Sequence, residues 1–280
     1  MPKLVPSNFA IENSENDIKR SSLIFNFLQD KLEIDSPNSL IDTTSIPKTI
    51  VQFWDKDDTP IDVKKCMESW KLLNKKGYTY ILFNEKSARE YISSNLNKEH
   101  LLAFNNCYHP AMKSDYFRLC YINYEGGMYV DSDDVYNGLN IDNYFINPKL
   151  KLHPLCYDLE LNQMVETQKF LNNDTQNKRW IYYFNNNPII SAPFNPIINY
   201  ALERATNILL NIDYDKLPEI QSTTGPGNIT ASVIAAQLTP SFEDNIEILT
   251  DWEEVSKTIW FLSYRDDYRN WRISNCKSSN

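Results

Sequence analysis

The chain has 280 residues, of which 42% are hydrophobic and 13% aromatic, and its formal net charge is −9. This composition excludes a disordered chain, and the negative charge argues against nucleic-acid binding, because a phosphate backbone attracts basic surfaces. Five scattered cysteines without a Cys-x-x-Cys pair predict a reduced, cytoplasmic protein. No run approaches the roughly 20 apolar residues of a membrane span, so any membrane contact is expected to be peripheral.

The predicted elements begin with an N-terminal extension over residues 1–45, in which 16–33 form one amphipathic helix. Its first expected role is to brace the fold, and contact with a membrane or with a partner is the alternative. From residue 49 onward strands and helices alternate as they do in α/β folds. Residues 147–187 lack clear periodicity and are predicted to be a loop or small helical insertion over the functional site. The remaining predicted elements are strands 49–54, 78–83, 128–132, 246–250 and 258–263, and helices 62–74, 85–95, 110–124, 196–210 and 228–238.

The most informative stretch runs from Gly126 to Asp134. It places a short apolar strand, Met128 to Val130, directly before a cluster of carboxylates. Because side chains alternate along an extended chain, Asp131 and Asp133 leave the same face. Two hard oxygen donors there suit Mn²⁺ or Mg²⁺ holding a phosphorylated substrate. A solvated acidic turn is the plainer alternative.

The residues Asp131 to Asp134 are called the acidic run below. Their spacing tests two other known types of site. An EF-hand loop requires glycine at its sixth position and glutamate at its twelfth, where the chain has Tyr136 and Asp142, so that identity is excluded. A haloacid-dehalogenase-type phosphatase has a strand followed by Asp-x-Asp-x-Thr/Val. Asp131, Asp133 and Val135 fit that pattern, and the phosphatase alternative stays open.

Upstream, a helix is predicted to start at Pro110 and to end before the glycine pair. Asp115 and Arg118 are three residues apart, so they share a face of this helix. Taken alone they would be a surface ion pair worth less than about 1 kcal/mol.

The combined pattern is more specific: Ser114-Asp115-x-x-Arg118, then a Gly-Gly-x-Tyr129 turn, then Asp131-x-Asp133. It closely resembles the sugar-binding region of the Asp-x-Asp glycosyltransferase superfamily. That superfamily includes yeast-type α-mannosyltransferases, bacterial capsule transferases and glycosylating bacterial toxins.

The resemblance extends over roughly residues 46 to 271. Ile46 to Trp54 resembles the first strand of the family, Asn186 to Ala192 its central Asn-containing segment, and Thr224-Gly225-Pro226 its Thr-Gly-Pro turn. Trp271 stands where a terminal tryptophan is usual. Near the end the chain departs from its relatives, because Arg265 to Asn270 replaces their histidines and serine.

The resemblance implies an α/β fold of glycosyltransferase A type, a Rossmann-like mixed sheet flanked by helices, with an N-terminal helix and helical or loop insertions. The catalytic domain would span residues 46–273, with the nucleotide-sugar half at 46–135 and the acceptor half at 136–273. Residues 274–280 would form a tail.

The resemblance also implies a role for each site residue. Asp133 would ligate the metal directly, Asp131 would reach it through water or hold the ribose, and Asp266 would complete the shell. Trp54 would stack on the base, while Asp115 and Arg118 would grip sugar hydroxyls. Tyr129 would bond the phosphate or the sugar, Asn187 would lie near the anomeric carbon, and Gly225 would let the backbone approach the phosphates.

The implied activity is metal-dependent, retaining sugar transfer from a nucleotide sugar, first of all UDP-glucose or UDP-N-acetylglucosamine. The acidic Asp-x-Asp-Asp134 run and the Asn/Lys/Ile-rich composition resemble toxin-like members, one of which modifies a tyrosine of small GTPases. A host-protein side chain is therefore the first expected acceptor, and a capsule or cell-surface glycan is the alternative. The expected location is the bacterial cytoplasm, or the host cytosol for a delivered toxin or effector.

Overall fold

The computed structural model describes residues 14–34, 45–237 and 245–270. Residues 1–13 and 35–44 of the predicted N-terminal extension, Trp271 and the predicted tail lie outside the described residues.

Helices and strands alternate along most of the described chain. The helices are α1 (Ser14–Ile34), α2 (Ile61–Lys71), α3 (Glu85–Asn95), α4 (Lys98–Asn106), α5 (Pro110–Glu125), α6 (Thr167–Leu171), α7 (Pro196–Leu210), α8 (Ile220–Thr223), α9 (Pro226–Gln237) and α10 (Trp252–Val255). The strands are β1 (Thr49–Phe53), β2 (Thr79–Phe83), β3 (Gly127–Tyr129), β4 (Asp134–Tyr136), β5 (Leu150–Asp158), β6 (Gln163–Val165), β7 (Trp180–Ser191), β8 (Ile246–Ile248) and β9 (Ser256–Thr258).

Seven strands form one mixed sheet with the order β2-β1-β3-β7-β5-β6, and β8 pairs with β5. β1 is parallel to both β2 and β3, whereas β7 runs antiparallel to β3 and to β5. β4 and β9 form a separate two-stranded sheet. Helices flank the large sheet, and the predicted α/β class with a mixed sheet is confirmed.

The turn from α5 into β3 requires glycine. Gly126 and Gly127 have φ angles of +71° and +103°, where residues with a Cβ atom are strained. A Cβ on Gly126 would lie 2.8 Å from Ser191 O, and one on Gly127 would lie 2.8 Å from Thr49 O. The two glycines therefore let β3 enter between β1 and β7, which places the acidic run at the carboxyl end of β3.

The predicted loop or insertion over 147–187 is wrong, because this segment supplies β5, β6 and most of β7. Its polar residues suggested solvent exposure, but several of them are buried and bonded. Lys151 is fully buried, and its Nζ donates to Asn147 Oδ1 at 2.9 Å. Asn186 and Asn187 are also buried, because they bond to residues of the candidate site.

Helix α1 packs on the large sheet and forms part of the main hydrophobic core. Ile24, Phe25 and Leu28 are buried, and Ser21 Oγ donates to Trp180 O at 3.0 Å and accepts from Tyr182 N at 3.0 Å. These contacts fix the helix against β7. In the described part of the chain, no helix is long and apolar enough to span a bilayer.

Candidate active site

The acidic run is attached to the end of β1. Gln52 Nε2 donates to Asp131 O at 2.9 Å, and Ser132 Oγ donates to Phe53 O at 2.8 Å. Carboxyl ends of neighbouring parallel strands meet at one edge of a sheet, so Trp54 and Asp131 are brought to the same edge.

Arg118 lies at the centre of the site and is almost completely buried. Its Nη2 is 2.7 Å from Asp131 Oδ1 and 2.9 Å from Asp115 Oδ1, and its Cζ lies 4.4 Å from the centroid of the Tyr129 ring. Burial alone would lower the pKa of Arg118, but Asp131 and Asp115 outweigh it and raise that pKa. Arg118 thus forms a buried charge network, which is different from a solvated surface pair.

Asp115 is held by neighbours from three parts of the chain. Besides Arg118, Asn186 Nδ2 donates to its Oδ1 at 2.8 Å, and Thr224 Oγ1 lies 3.5 Å from its Oδ2. A Cβ on Gly225 would lie 3.2 Å from the same Oδ2 atom, so a side chain at this position would crowd the carboxylate. Burial, opposed by Arg118, raises the pKa of Asp115 to about 6.

Asp133 contacts the segment that follows β9. Its Oδ2 accepts a hydrogen bond from Tyr264 Oη at 2.7 Å and forms an ion pair with Arg265, while its carbonyl accepts from Ile259 N at 2.9 Å. Burial and the nearby charge of Asp131 raise the pKa of Asp133. Residues 259–270, called the C-terminal segment below, therefore cover Asp133, the residue predicted to bind the metal.

Asp134 anchors the acidic run, a role that the spacing analysis did not assign to it. Its side chain accepts from Thr258 Oγ1 at 2.6 Å, from Asn187 Nδ2 at 2.9 Å and from Ser256 Oγ at 3.1 Å. Burial, together with Asp133 and Asp131, raises its pKa to about 7. With three donors and 1% exposure, Asp134 ties β4, β9 and β7 together.

Asn187 and Tyr129 face the protein rather than an open cleft. Asn187 Oδ1 accepts from Asp131 N at 3.0 Å, so both ends of its amide are used by the acidic run. Tyr129 is fully buried, and its hydroxyl is 2.8 Å from Ser114 Oγ. Both side chains thus support Asp131 and Arg118 in this conformation.

Trp54 packs in a small hydrophobic cluster with Val63, Met67 and Leu262 and is 7% exposed. The rings of Trp54 and Tyr264 pack at nearly a right angle, with their centroids 5.3 Å apart. Arg269 Cζ lies 5.1 Å from the centroid of the Trp54 ring. The C-terminal segment thus covers both Trp54 and Asp133.

An open cavity of about 410 Å³ lies beside these residues, where β1 and β2 end. It is lined by Asp55, Lys56, Asp57, Asn84, Glu85, Lys86 and Arg89. Asp55 also contacts the C-terminal segment, through an ion pair with Arg269 at 3.9 Å. The cavity and the acidic run therefore lie at the same edge of the large sheet.

The fit of the site to a divalent cation depends on how many oxygen ligands it brings together. Within residues 14–34, 45–237 and 245–270, no group of three His, Cys, Asp or Glu side chains comes together to hold a metal. Asp266 is thus not gathered with Asp131 and Asp133, and its neighbour Arg265 contacts Asp133 instead. Two carboxylates fit Mg²⁺ or Mn²⁺ when substrate phosphates supply further oxygens, as is common for these ions.

Residues 60–151 match the model of the family described as glycosyltransferase sugar-binding region containing DXD motif. This range contains Asp115, Arg118, Tyr129, Asp131 and Asp133, so the match covers the centre of the site. The predicted resemblance to this family and the predicted transferase class are confirmed. A glycosyltransferase takes its sugar from a nucleotide-sugar donor and gives it to an acceptor.

Two solved structures illustrate what the chain is similar to. One is described as "PaToxG Glycosyltransferase" and has 17% sequence identity and a TM-score of 0.41, with 81% of this chain and 79% of that chain covered. The other is a glycosyltransferase involved in the glycosylation of the major capsid of PBCV-1, with 11% identity, a TM-score of 0.35 and coverage of 73% and 82%. No curated protein matches the chain.

Several residues of the site were not identified from the sequence. Ser114 and Asn186 belong to the family pattern without a predicted role of their own, although both contact Asp115, Arg118 or Tyr129. Tyr264 and Arg265 come from a segment that departs from the family pattern. No local pattern in the sequence indicates that this segment contacts the acidic run.

Proposed function

We propose that the chain is a retaining, metal-dependent glycosyltransferase whose donor is a UDP-sugar, first of all UDP-glucose or UDP-N-acetylglucosamine. The observation that supports this most is the joining of Asp115 to Asp131, the first carboxylate of the Asp-x-Asp motif, through one buried arginine, Arg118. The network combines two carboxylates with a guanidinium, groups that can hydrogen-bond to sugar hydroxyls. It lies at the edge of the sheet where the strands end, which is where ligands of such sheets bind.

In this proposal Asp115 and Arg118 orient the donor sugar. Arg118 is fixed by contacts with Asp115, Asp131 and the Asn186 carbonyl, so its position is set before the donor arrives. Such preorganisation lowers the entropic cost of binding a sugar in one orientation. Asp115, held by Asn186 and Thr224, offers a carboxylate that accepts from sugar hydroxyls.

Asp131 and Asp133 would hold Mn²⁺ or Mg²⁺ together with the donor diphosphate, and Asp266 is the proposed third protein ligand. A bound divalent cation would stabilise the negative charge of the departing nucleoside diphosphate. The base would stack on Trp54, taking the face that Arg269 now covers, and the nucleoside would extend toward the cavity at Asp55 and Asn84. Gly225, next to Asp115, would allow close approach of the phosphates.

The proposed acceptor is a side chain of a host protein, with a small GTPase as the first candidate, and a cell-surface glycan as the alternative. This choice is supported only by the resemblance of the Asp-x-Asp-Asp134 run to toxin-like members. The bacterial cytoplasm or a host cytosol would be the site of action.

The test uses the full chain with radiolabelled UDP-glucose or UDP-N-acetylglucosamine, in Mn²⁺ and in EDTA. We expect Mn²⁺-dependent release of UDP, and labelling of a protein band when eukaryotic lysate is added. D133N should retain its circular dichroism spectrum and lose turnover by several orders of magnitude, since a neutral amide ligates the cation poorly.

Full activity in EDTA would contradict the metal assignment, and turnover of GDP-sugars alone would contradict the choice of UDP. Labelling of a bacterial polysaccharide instead of lysate protein would favour the glycan acceptor.

A further inference from the structure

Arg265 contacts the second carboxylate of the Asp-x-Asp motif. Its guanidinium forms an ion pair with Asp133 Oδ2, the oxygen that also accepts from Tyr264 Oη. The same guanidinium lies over the Trp260 ring, with Cζ 4.6 Å from the centroid. The pair is largely buried, with the two side chains 16% and 12% exposed. In this structure Arg265 thus places a positive charge beside the second carboxylate of the Asp-x-Asp motif.

The hydrogen-bonding groups of Arg265 are only partly used. Its Nε is buried and has no hydrogen-bond partner among the described residues. A buried polar group without a partner is unfavourable, so the guanidinium has donor capacity that an added anion would satisfy. Arginine presents several donors in a planar fork, which matches phosphate oxygens well.

A cation and Arg265 compete for the same carboxylate. Oδ2 of Asp133 already accepts two hydrogen bonds and faces a positive charge. A divalent ion bound there alone would be repelled by that charge. A nucleoside diphosphate removes this conflict, because its oxygens bind the ion and also accept from the guanidinium.

We propose that Arg265 is a donor-binding residue with two positions: it pairs with Asp133 in the free protein and transfers to the diphosphate when nucleotide and cation bind together. This inference rests on the proposed function, because it takes a nucleoside diphosphate as the ligand. Its consequence is strong coupling, in which UDP raises the affinity for Mn²⁺ and Mn²⁺ raises the affinity for UDP by the same factor.

The experiment measures Mn²⁺ binding by calorimetry, with and without saturating UDP, for the unmodified chain and for R265Q and R265K. Arg179→Gln is the control, since Arg179 pairs with the exposed Glu160 at the tip between β5 and β6. Circular dichroism verifies the fold of each variant.

We expect UDP to increase Mn²⁺ affinity by about tenfold or more in the unmodified chain and in the Arg179 control. R265Q should bind Mn²⁺ alone several-fold more tightly, yet gain little from UDP. R265K should fall between the two, because lysine keeps the charge and loses the planar fork.

Equal coupling in R265Q and in the unmodified chain would overturn the two-position role. A uniform loss of Mn²⁺ affinity in R265Q, with and without UDP, would also overturn it, since Arg265 would then only support Asp133. If the unmodified chain binds neither UDP nor Mn²⁺, the proposed function fails, and the inference fails with it. Titrations of the unmodified chain alone identify this failure of the proposed function, so it is distinguished from a failure of the two-position role.

Discussion

Asn187 donates a hydrogen bond from Nδ2 to Asp134 Oδ2 over 2.9 Å, across 53 residues of sequence. The other end of the same amide accepts from the Asp131 backbone. One side chain of β7 therefore holds both ends of the acidic run. The donors around Asp134 matter because burial without them would leave a costly unsatisfied carboxylate.

The first prediction concerns this amide. Asn187→Asp would place a second carboxylate against buried Asp134, whereas Asn187→Ala would remove only one donor and one acceptor. We expect the alanine variant to lose about 1–3 kcal/mol of unfolding free energy and the aspartate variant to lose more. Urea denaturation at pH 7.5 measures both. An alanine variant as stable as the unmodified chain would show that water replaces the amide, and equal losses in the two variants would show that the added carboxylate has no cost of its own.

The second prediction separates the stacking role of Trp54 from its packing role. Trp54→Phe and Trp54→Leu both fill part of the cluster with Val63 and Met67, but only phenylalanine keeps an aromatic face. We expect similar melting temperatures, with UDP affinity in the leucine variant lower by about 1–3 kcal/mol, the usual worth of base–aromatic stacking. Calorimetric titration with UDP and Mn²⁺ measures it. Identical affinities would make Trp54 a core residue only.

The third prediction uses two glycines at the start of α9, Gly225 directly before the helix and Gly227 in its first turn. A Cβ on Gly225 would lie 3.0 Å from Gln221 Cα and 3.2 Å from Asp115 Oδ2, whereas one on Gly227 would lie 3.0 Å from Ser222 Cα and has no carboxylate among its nearest neighbours. Both alanine variants should lose about 1–3 kcal/mol of stability through crowding. Only Gly225→Ala should also weaken donor binding, because it displaces Asp115. Parallel thermal melts and UDP-sugar titrations test this, and equal donor affinity in the two variants would contradict it.

The fourth prediction concerns acid stability. His153 is buried, and its Nδ1 is 3.0 Å from Leu249 O; burial lowers its pKa below 6.5 despite this carbonyl and the nearby Glu253. Below pH 6.5 the unfolded chain therefore binds a proton that the folded chain does not. Stability from this group is present above about pH 6.5 and is lost as the pH falls, by at most about 1.4 kcal/mol per pH unit.

The measurement compares urea denaturation of the unmodified chain and His153→Gln at pH 7.5, 6.5 and 5.5. We expect the variant to lose less stability on acidification, since glutamine does not titrate. Parallel pH dependences for the two proteins would show that His153 is not a source of acid sensitivity.

Local patterns in the sequence predicted the elements that carry the family motif. Helices 85–95 and 196–210 and the start of the helix at Pro110 agree with α3, α7 and α5, because caps and apolar periodicity are local properties. The three-residue spacing of Asp115 and Arg118 correctly placed them side by side. Their burial was not predicted, since it arises from Asn186 and Thr224, which are distant in sequence.

The errors have a common physical cause. The polar composition of residues 147–187 predicts a loop or small helical insertion because polar side chains normally face solvent, yet Lys151 and the β7 asparagines satisfy their hydrogen bonds inside the protein. The strand predicted at 258–263 ends at Thr258, and Ser263–Asp266 forms a 3-10 helix instead. Contacts such as Arg265 with Asp133 depend on tertiary structure, which no local pattern encodes.

The pairing of β4 with β9 also sets the order in which the site is assembled during synthesis. Thr258 reaches Asp134 across 124 residues, and Ile259 N continues the contact to Asp133 O. A nascent chain on the ribosome already contains the Asp-x-Asp motif when residue 136 emerges, but it lacks both hydroxyl donors of β9. The hydrogen bonds that anchor Asp134 and Asp133 are therefore completed only after most of the chain has been made, well after β1 and β3 are able to pair.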